Sequence, residues 1–239
     1  MSKVKLENID KVFDGGVQAL CDVNIIVEPG ECLVLAGPSG AGKSTILRLI
    51  AGLETPTAGN IFIDGQDVTN IEPRQRDIAM VFQHFSLYPH MTVFENIGFP
   101  LKMKKLGKTL IRQKVTEAAK MLQIEDLLDR KPSQLSGGQR QRAALGKAIV
   151  TEPKVFLFDE PLSNLDHMLR AKARQQIKDV LQKLNATSIY VTHDQDEAKE
   201  MADRVCVLNV GRIQQTATVD QIVKNPANEF VTKFMQVYK

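Results

Sequence analysis

The chain has 239 residues, room for one large or two small domains around a sizeable core. Hydrophobic residues make up 43% and charged residues 25%, as in soluble globular proteins. A net charge of +3 from mixed signs gives no electrostatic case for nucleic acid. Cys21, Cys32 and Cys206 are odd in number and scattered, which fits reduced thiols in a cytosolic protein rather than a zinc or disulfide framework. The N-terminus, MSKVKLENIDKVFD, has no signal-peptide core, and no stretch approaches the roughly 20 apolar residues of a membrane helix. Work at a membrane would require another chain to hold this one there.

Strand and helix patterns alternate, which predicts an α/β fold with a largely parallel sheet. Val4–Ile9 and Val23–Glu28 read as half-buried strands. Cys32–Ala36 reads as a buried strand running into a glycine loop. Helical spacing follows over Ile46–Leu53, stopping at Gly52 or soon after. Ile61–Asp64 is a strand ending in an Asp64-Gly65 turn. From Pro89 to Glu152 the pattern is helical, clearest over Arg112–Leu122 and Ser136–Val150, as in an insertion within an α/β core. Strands resume at Val155–Asp159, Ser188–Thr192 and Val205–Asn209. A turn at 209–212 leads to a last strand, Ile213–Gln215, and short helices finish the chain. The basic stretch from Lys102 to Lys114 reads as a solvated surface.

Gly37-Pro38-Ser39-Gly40-Ala41-Gly42-Lys43-Ser44 is a Walker A sequence, with a strand before it and a helix after it. Such a loop turns backbone N–H groups into one concavity and adds the positive end of the helix. Lys43 is expected on the β- and γ-phosphates and Ser44 on Mg²⁺. A glycine turn that merely capped a helix would require neither side chain. Val155–Phe158 followed by Asp159-Glu160 places two acids at a strand end. Alone, such a pair is usually just solvated. Beside a Walker A, Asp159 is expected to hold Mg²⁺ and Glu160 to orient or deprotonate a water. His193 also follows a strand, so a parallel sheet puts it on the same side; the sharper reading is a γ-phosphate contact. His84, His90 and His167 lack metal spacing and are read as structural. Ser136, Gly137 and Gly138 form a helix start that could hold an anion or act only as an N-cap.

Together these segments resemble the nucleotide-binding subunit of an ABC transporter over essentially the whole chain: GPSGAGKST (37–45), VFQ with Gln83, LSGGQ (135–139), VFLFDEP (155–161), SNLD (163–166) and TH with His193. The resemblance implies a P-loop NTPase (RecA-like) core with an N-terminal antiparallel β subdomain and an inserted α-helical subdomain. The single domain would span 1–239, with its core in 1–88 and 153–239 and the helical part in 89–152. It implies an ATPase using ATP and Mg²⁺. Phe13 would stack on adenine, although a buried core phenylalanine competes as a reading. Pro38, Ser39, Ala41 and Thr45 would line the nucleotide with the loop glycines. Gln83 would join Ser44 and Asp159 at the metal and link the site to membrane subunits. Ser136–Gln139 would meet the ATP held by a second subunit. Asp166 would lie at that interface, and Phe85–Pro89 would face a membrane partner.

FQHFSLYPHMTVFENIGFPL, DRKPSQLSGGQRQR and FDEPLSNLD are similar to the maltose-type group of importer ATPases, with polyamine, iron and osmolyte importers also open. A non-transport ABC ATPase is the alternative from another class. It is disfavoured by the absence of heptad runs and of a second ATPase half. The implied partners are a second copy or a paralogous ATPase subunit, two transmembrane permease subunits and an extracytoplasmic solute-binding protein, with no nucleic acid. The implied place is the cytoplasmic face of the plasma (inner) membrane. There are departures from the group's pattern. The chain stops at FVTKFMQVYK, about where a C-terminal regulatory domain would begin. Ala41 replaces a common cysteine. Lys147 replaces an arginine, keeping the charge but losing a bidentate contact.

Overall fold

The computed structural model describes residues 2–236. A six-stranded sheet is built from β3 (Cys32–Ala36), β6 (Ile78–Val81), β7 (Val155–Asp159), β8 (Thr187–Val191), β9 (Arg204–Asn209) and β10 (Arg212–Ala217). The spatial order is β10-β9-β3-β8-β7-β6, and every neighbouring pair is parallel except β9–β10. The sheet is therefore largely parallel, as the alternating pattern predicts. A separate antiparallel sheet, order β2-β1-β4-β5, contains β1 (Val4–Phe13), β2 (Val17–Val27), β4 (Ala58–Ile63) and β5 (Gln66–Asp67).

The strand period of two divides the core in half. Cys32, Val34, Ala36, Phe156, Phe158, Tyr190, Val205 and Val207 face one hydrophobic cluster. Their alternates Leu33, Leu35, Val155, Leu157, Ile189, Val191, Cys206 and Leu208 face the other. The second cluster is closed by α1 (Lys43–Ala51) and the antiparallel sheet. The first is closed by α2 (Val93–Met103), α3 (Lys108–Leu122), α4 (Gly137–Ile149), α5 (His167–Leu184) and α6 (Gln195–Met201), with α7 (Val219–Lys224) and α8 (Glu229–Gln236) at its edge. Burial on both faces explains why the central strands read as unbroken apolar runs.

Several expectations need correction. β1 runs on to Phe13 and β2 begins at Val17, both well beyond the predicted ends. Register shifts between Leu6 and Val12, with Asn8 and Asp22 in the left-handed region, interrupt the alternation that was to mark those strands. β6 and β5 went unpredicted: β6 is a four-residue, partly buried edge strand, and β5 has only two residues. α1 starts at Lys43 rather than Ile46, because apolar spacing does not register its polar first residues, Lys43, Ser44 and Thr45; α3 starts at Lys108 rather than Arg112, and its first turn carries an exposed Leu110 beside Ile111. α4 meets its prediction to within a residue, with Ser136 as N-cap and Val150 as C-cap. Among the described residues, 89–152 holds helices and no strand. The basic residues 102–112 are exposed, and Lys114 pairs with Glu152 at 2.7 Å. The side chain of His167 lies outside the described ones.

The thiols are unevenly accessible. Burial pushes Cys32 up to about 12 and Cys206 up to about 11. At pH 8 their thiolate fractions are roughly 10²- to 10³-fold or more below that of an ordinary thiol near 8.5. Iodoacetamide should therefore alkylate half-buried Cys21 in the native protein and reach Cys32 and Cys206 only after unfolding. Peptide mass mapping before and after denaturant checks this.

Candidate active site

The functional segments converge because β3, β8 and β7 are adjacent and end level. Leu35 pairs with Val191, and Val191 with Asp159. The next residues are the 37–42 loop, Thr192-His193 and Glu160, all at the carboxyl edge where open α/β sheets bind ligands.

The loop leads into α1 through Gly42, whose φ is 100°. A Cβ there would stand 2.6 Å from Leu20 Cδ2 and 2.8 Å from the Ala19 carbonyl oxygen, so only glycine fits. Pro38, Ser39 and Gly40 form the exposed tip, Ala41 is buried, and Thr45 is half-buried on α1. The Lys43 ammonium donates to the carbonyls of Gly37 at 2.8 Å and Pro38 at 2.9 Å. Burial lowers its pKa, and the charges of Glu160 and Asp159 partly oppose that shift. A partly desolvated cation inside a loop of backbone N–H groups is a strong attractor for phosphate.

Ser44 Oγ donates to Asp159 Oδ1 at 2.8 Å. Adjacent oxygens of an Mg²⁺ octahedron with bonds of about 2.1 Å stand roughly 3 Å apart, so this pair fits two such positions. No cluster of three or more His, Cys, Asp and Glu exists among the described residues. That donor set suits Mg²⁺, which keeps waters and substrate phosphates as its other ligands.

Glu160 holds φ at 45°, an uncommon conformation for a non-glycine residue. Its N–H donates to the Val191 carbonyl at 3.1 Å, and its own carbonyl accepts from Ser163 Oγ at 2.9 Å. Oε2 lies 3.0 Å from His193 Nδ1. Relative side-chain exposure is 24% for Glu160 and 53% for His193, so both remain open to an incoming ligand. A carboxylate only accepts, so Nδ1 carries the proton in this contact.

Other predicted residues lie apart from this cluster. Gln83 is exposed, and its side chain makes no hydrogen bond to Ser44 or Asp159; its carbonyl accepts from Asn164 Nδ2 at 2.6 Å. Phe13, at the end of β1, is half-buried and outside both cores, which removes the core-phenylalanine reading. The Lys11 ammonium stands 4.8 Å from its ring centre. Ser136 and Gln139 form a reciprocal capping box: Ser136 Oγ accepts from the Gln139 N–H at 3.3 Å, and Gln139 Oε1 from the Ser136 N–H at 2.9 Å. Gly137 lies so close to Leu165 that a Cβ would meet it at 3.0 Å. No hydrogen bond or ion pair joins residues 136–139 to the 37–45 loop. Asp166 caps α5, accepting from the Leu169 N–H at 2.9 Å. Lys147 donates to the Ser86 carbonyl at 2.8 Å, its ammonium stands 4.3 Å from the Tyr88 ring centre, and burial lowers its pKa.

Comparison with known proteins decides the family. A family model described as ABC transporter matches residues 20–163. The chain belongs to the ABC transporter family. The sn-glycerol-3-phosphate import ATP-binding protein UgpC of Cupriavidus necator is 52% identical to this ABC chain over 235 residues, covering 98% of the chain and 64% of that protein. UgpC of Brucella abortus is 54% identical, covering 98% and 67%. The chain thus spans about two thirds of the length of these curated relatives. A dimeric ATP-binding cassette in a post-hydrolysis state, bound to ADP and Pi, superposes with a TM-score of 0.80 at 33% identity, covering 90% of this chain and 98% of that one. The cbiO1 protein of Clostridium perfringens superposes with a TM-score of 0.84 at 29% identity, covering 94% and 91%. The likeness to these cassettes agrees with the P-loop core and antiparallel sheet that the motifs imply. No helix among the described residues is long and apolar enough to cross a membrane.

The site also contains residues that carry no motif. Arg170, Asp194 and Glu197 bond the segments that bear Asp166 and His193, while Asn164, inside the SNLD segment, bonds the Gln83 carbonyl. Of the three without a motif, Asp194 leaves a trace in the sequence, an N-cap position with a helical pattern behind it.

Proposed function

We propose that this chain is the ATP-hydrolysing subunit of an importer, driving uptake of a glycerol-phosphate-like or sugar solute through partner membrane subunits. The observation that carries the reading is the assembly of Lys43, Ser44, Asp159, Glu160 and His193 along one sheet edge. Similarity over 98% of the chain to glycerol-3-phosphate import subunits supports the solute class. The working unit is a domain over 1–239 with its core in 1–88 and 153–239 and a helical part in 89–152. Two such subunits act on two permease subunits at the cytoplasmic face of the membrane, fed by an extracytoplasmic solute-binding protein.

Lys43 and the loop N–H groups bind the β- and γ-phosphates. Ser44 and Asp159, with Gln83 nearby, would hold Mg²⁺, which when bound would supply charge neutralisation at the phosphate oxygens. Glu160 accepts a proton from the attacking water, and His193 holds that carboxylate in place. For Nε2 to donate to a γ-phosphate oxygen while Nδ1 stays on Glu160, the imidazole must be doubly protonated. Phe13 stacks on the adenine. Ser136–Gln139 and Asp166 meet the nucleotide of the opposing subunit.

The direct test is Mg²⁺-dependent release of phosphate from ATP by the purified chain, followed by affinity capture from detergent-solubilised membranes. Turnover together with capture of two polytopic membrane proteins and a solute receptor is expected. Turnover with no membrane partner would favour a non-transport ATPase.

A further inference from the structure

His193 lies in the short stretch between β8 and α6, and the residues around it are locked to one buried acid. Glu197 is 2% exposed, and its Oε2 accepts from Tyr190 OH at 2.9 Å and from Thr192 Oγ1 at 2.8 Å. Thr192 Oγ1 in turn accepts from the Asp194 N–H at 2.9 Å, and Asp194 Oδ1 accepts from the Glu197 N–H at 3.1 Å. The backbone on both sides of the imidazole is thereby fixed.

Arg170, on the first turn of α5, joins this cluster to a second loop. Its Nε donates to the Leu165 carbonyl at 2.8 Å and its Nη2 to the Ser163 carbonyl at 3.3 Å. Its Nη1 lies 3.5 Å from Asp194 Oδ2. One rigid guanidinium thus spans the 163–166 segment and the 192–194 segment, which a lysine point charge could not do with the same geometry. The 163–166 segment is tied at its other side to Gln83 through Asn164, and Leu165 packs on Gly137.

We infer that Arg170 is a positioning residue for His193, transmitting the placement of the 163–166 loop through Asp194 to the aim of the imidazole at Glu160. The inference rests on the ATPase reading for its catalytic consequence. Its geometric content, the orientation of His193, is measurable without turnover.

The experiment uses histidine-selective ¹⁵N labelling of the full chain. Four histidines give four ring systems, and a His193→Ala spectrum assigns the one that matters. In the wild type, ring two-bond ¹H–¹⁵N correlations should show His193 with its proton on Nδ1. Arg170→Met should move that signal toward the Nε2–H form usual for a free imidazole. Arg170→Lys should restore part of the wild-type signature, and Lys172→Met, a change to an exposed residue of the same helix, should leave it alone. In parallel, Arg170→Met should lower kcat for ATP about tenfold or more with KM nearly unchanged, since misaim harms the reacting geometry rather than binding. An unchanged Nδ1–H signature in folded Arg170→Met overturns the inference. Should that variant not fold, Asp194→Asn retains the cap and removes the charge facing Arg170; an unchanged signature there overturns it equally. A wild type that does not hydrolyse ATP defeats the functional reading, and the spectra still decide the role of Arg170.

Discussion

Glu160→Gln should lower ATP turnover by about 10²- to 10⁴-fold, the range for loss of a general base, while ATP affinity stays close to that of the wild type. The structure explains why this substitution is clean. Gln retains the length of the side chain, and its amide oxygen can still accept from His193 Nδ1, 3.0 Å from Glu160 Oε2 in the wild type. The backbone of residue 160 is held at φ 45° by its N–H on Val191 and its carbonyl on Ser163, neither of which involves the carboxyl group. Only proton acceptance is lost. Nucleotide binding by Lys43 and the loop should persist, so the variant should accumulate as an ATP-bound dimer on size-exclusion chromatography. Near-normal phosphate release would remove Glu160 from the base role.

The second large effect concerns residues 136–139, which have no bond to their own chain's phosphate loop. If they complete the site of an opposing subunit, Lys43→Ala and Ser136→Asp should each be nearly inactive as homodimers. Asp at 136 keeps the N-cap while setting a negative charge against the incoming phosphate, so the loss would not come from a frayed α4. Co-expressed with separate tags, the two variants form mixed dimers with one wholly intact composite site and one doubly damaged site. Random pairing should then return roughly a quarter of wild-type turnover, since half the dimers are mixed and each keeps one of two sites. Isolated mixed dimers that remain inactive would place Ser136 in its own chain's site and overturn the split arrangement.

Local chemistry was readable from the residues alone. The glycines, Lys43 and Ser44 predict a loop running from a strand into a helix, and β3 and α1 flank it, because a glycine turn into a helix start is a relation between adjacent residues. The capping box of Ser136 and Gln139 is an i,i+3 relation within one helical turn, and it places α4 to within a residue. Val155–Phe158 reads as a doubly buried strand because such strands carry unbroken apolar runs. Where local order was interrupted, reading stopped short: bulges hid the extent of β1 and β2, and the polar first residues of α1 fell outside the apolar period.

The convergence of the site depends on which strands are neighbours. Ser44 and Asp159 are 115 residues apart and Glu160 and His193 are 33 apart, and both pairs meet because β3, β8 and β7 lie side by side and end level. No periodicity encodes that order. Arg170 and Glu197 show the same division: in the sequence they are ordinary helix residues, and only the packing of α5 and α6 against the strand ends sets them among the loops that carry His193 and Asp166. Which groups are candidates to bind phosphate, metal and water is legible in the sequence, because those capacities belong to residue types at short spacing. Which of them lie together is set by the tertiary structure, because distance between side chains follows sheet order and helix packing rather than separation along the chain.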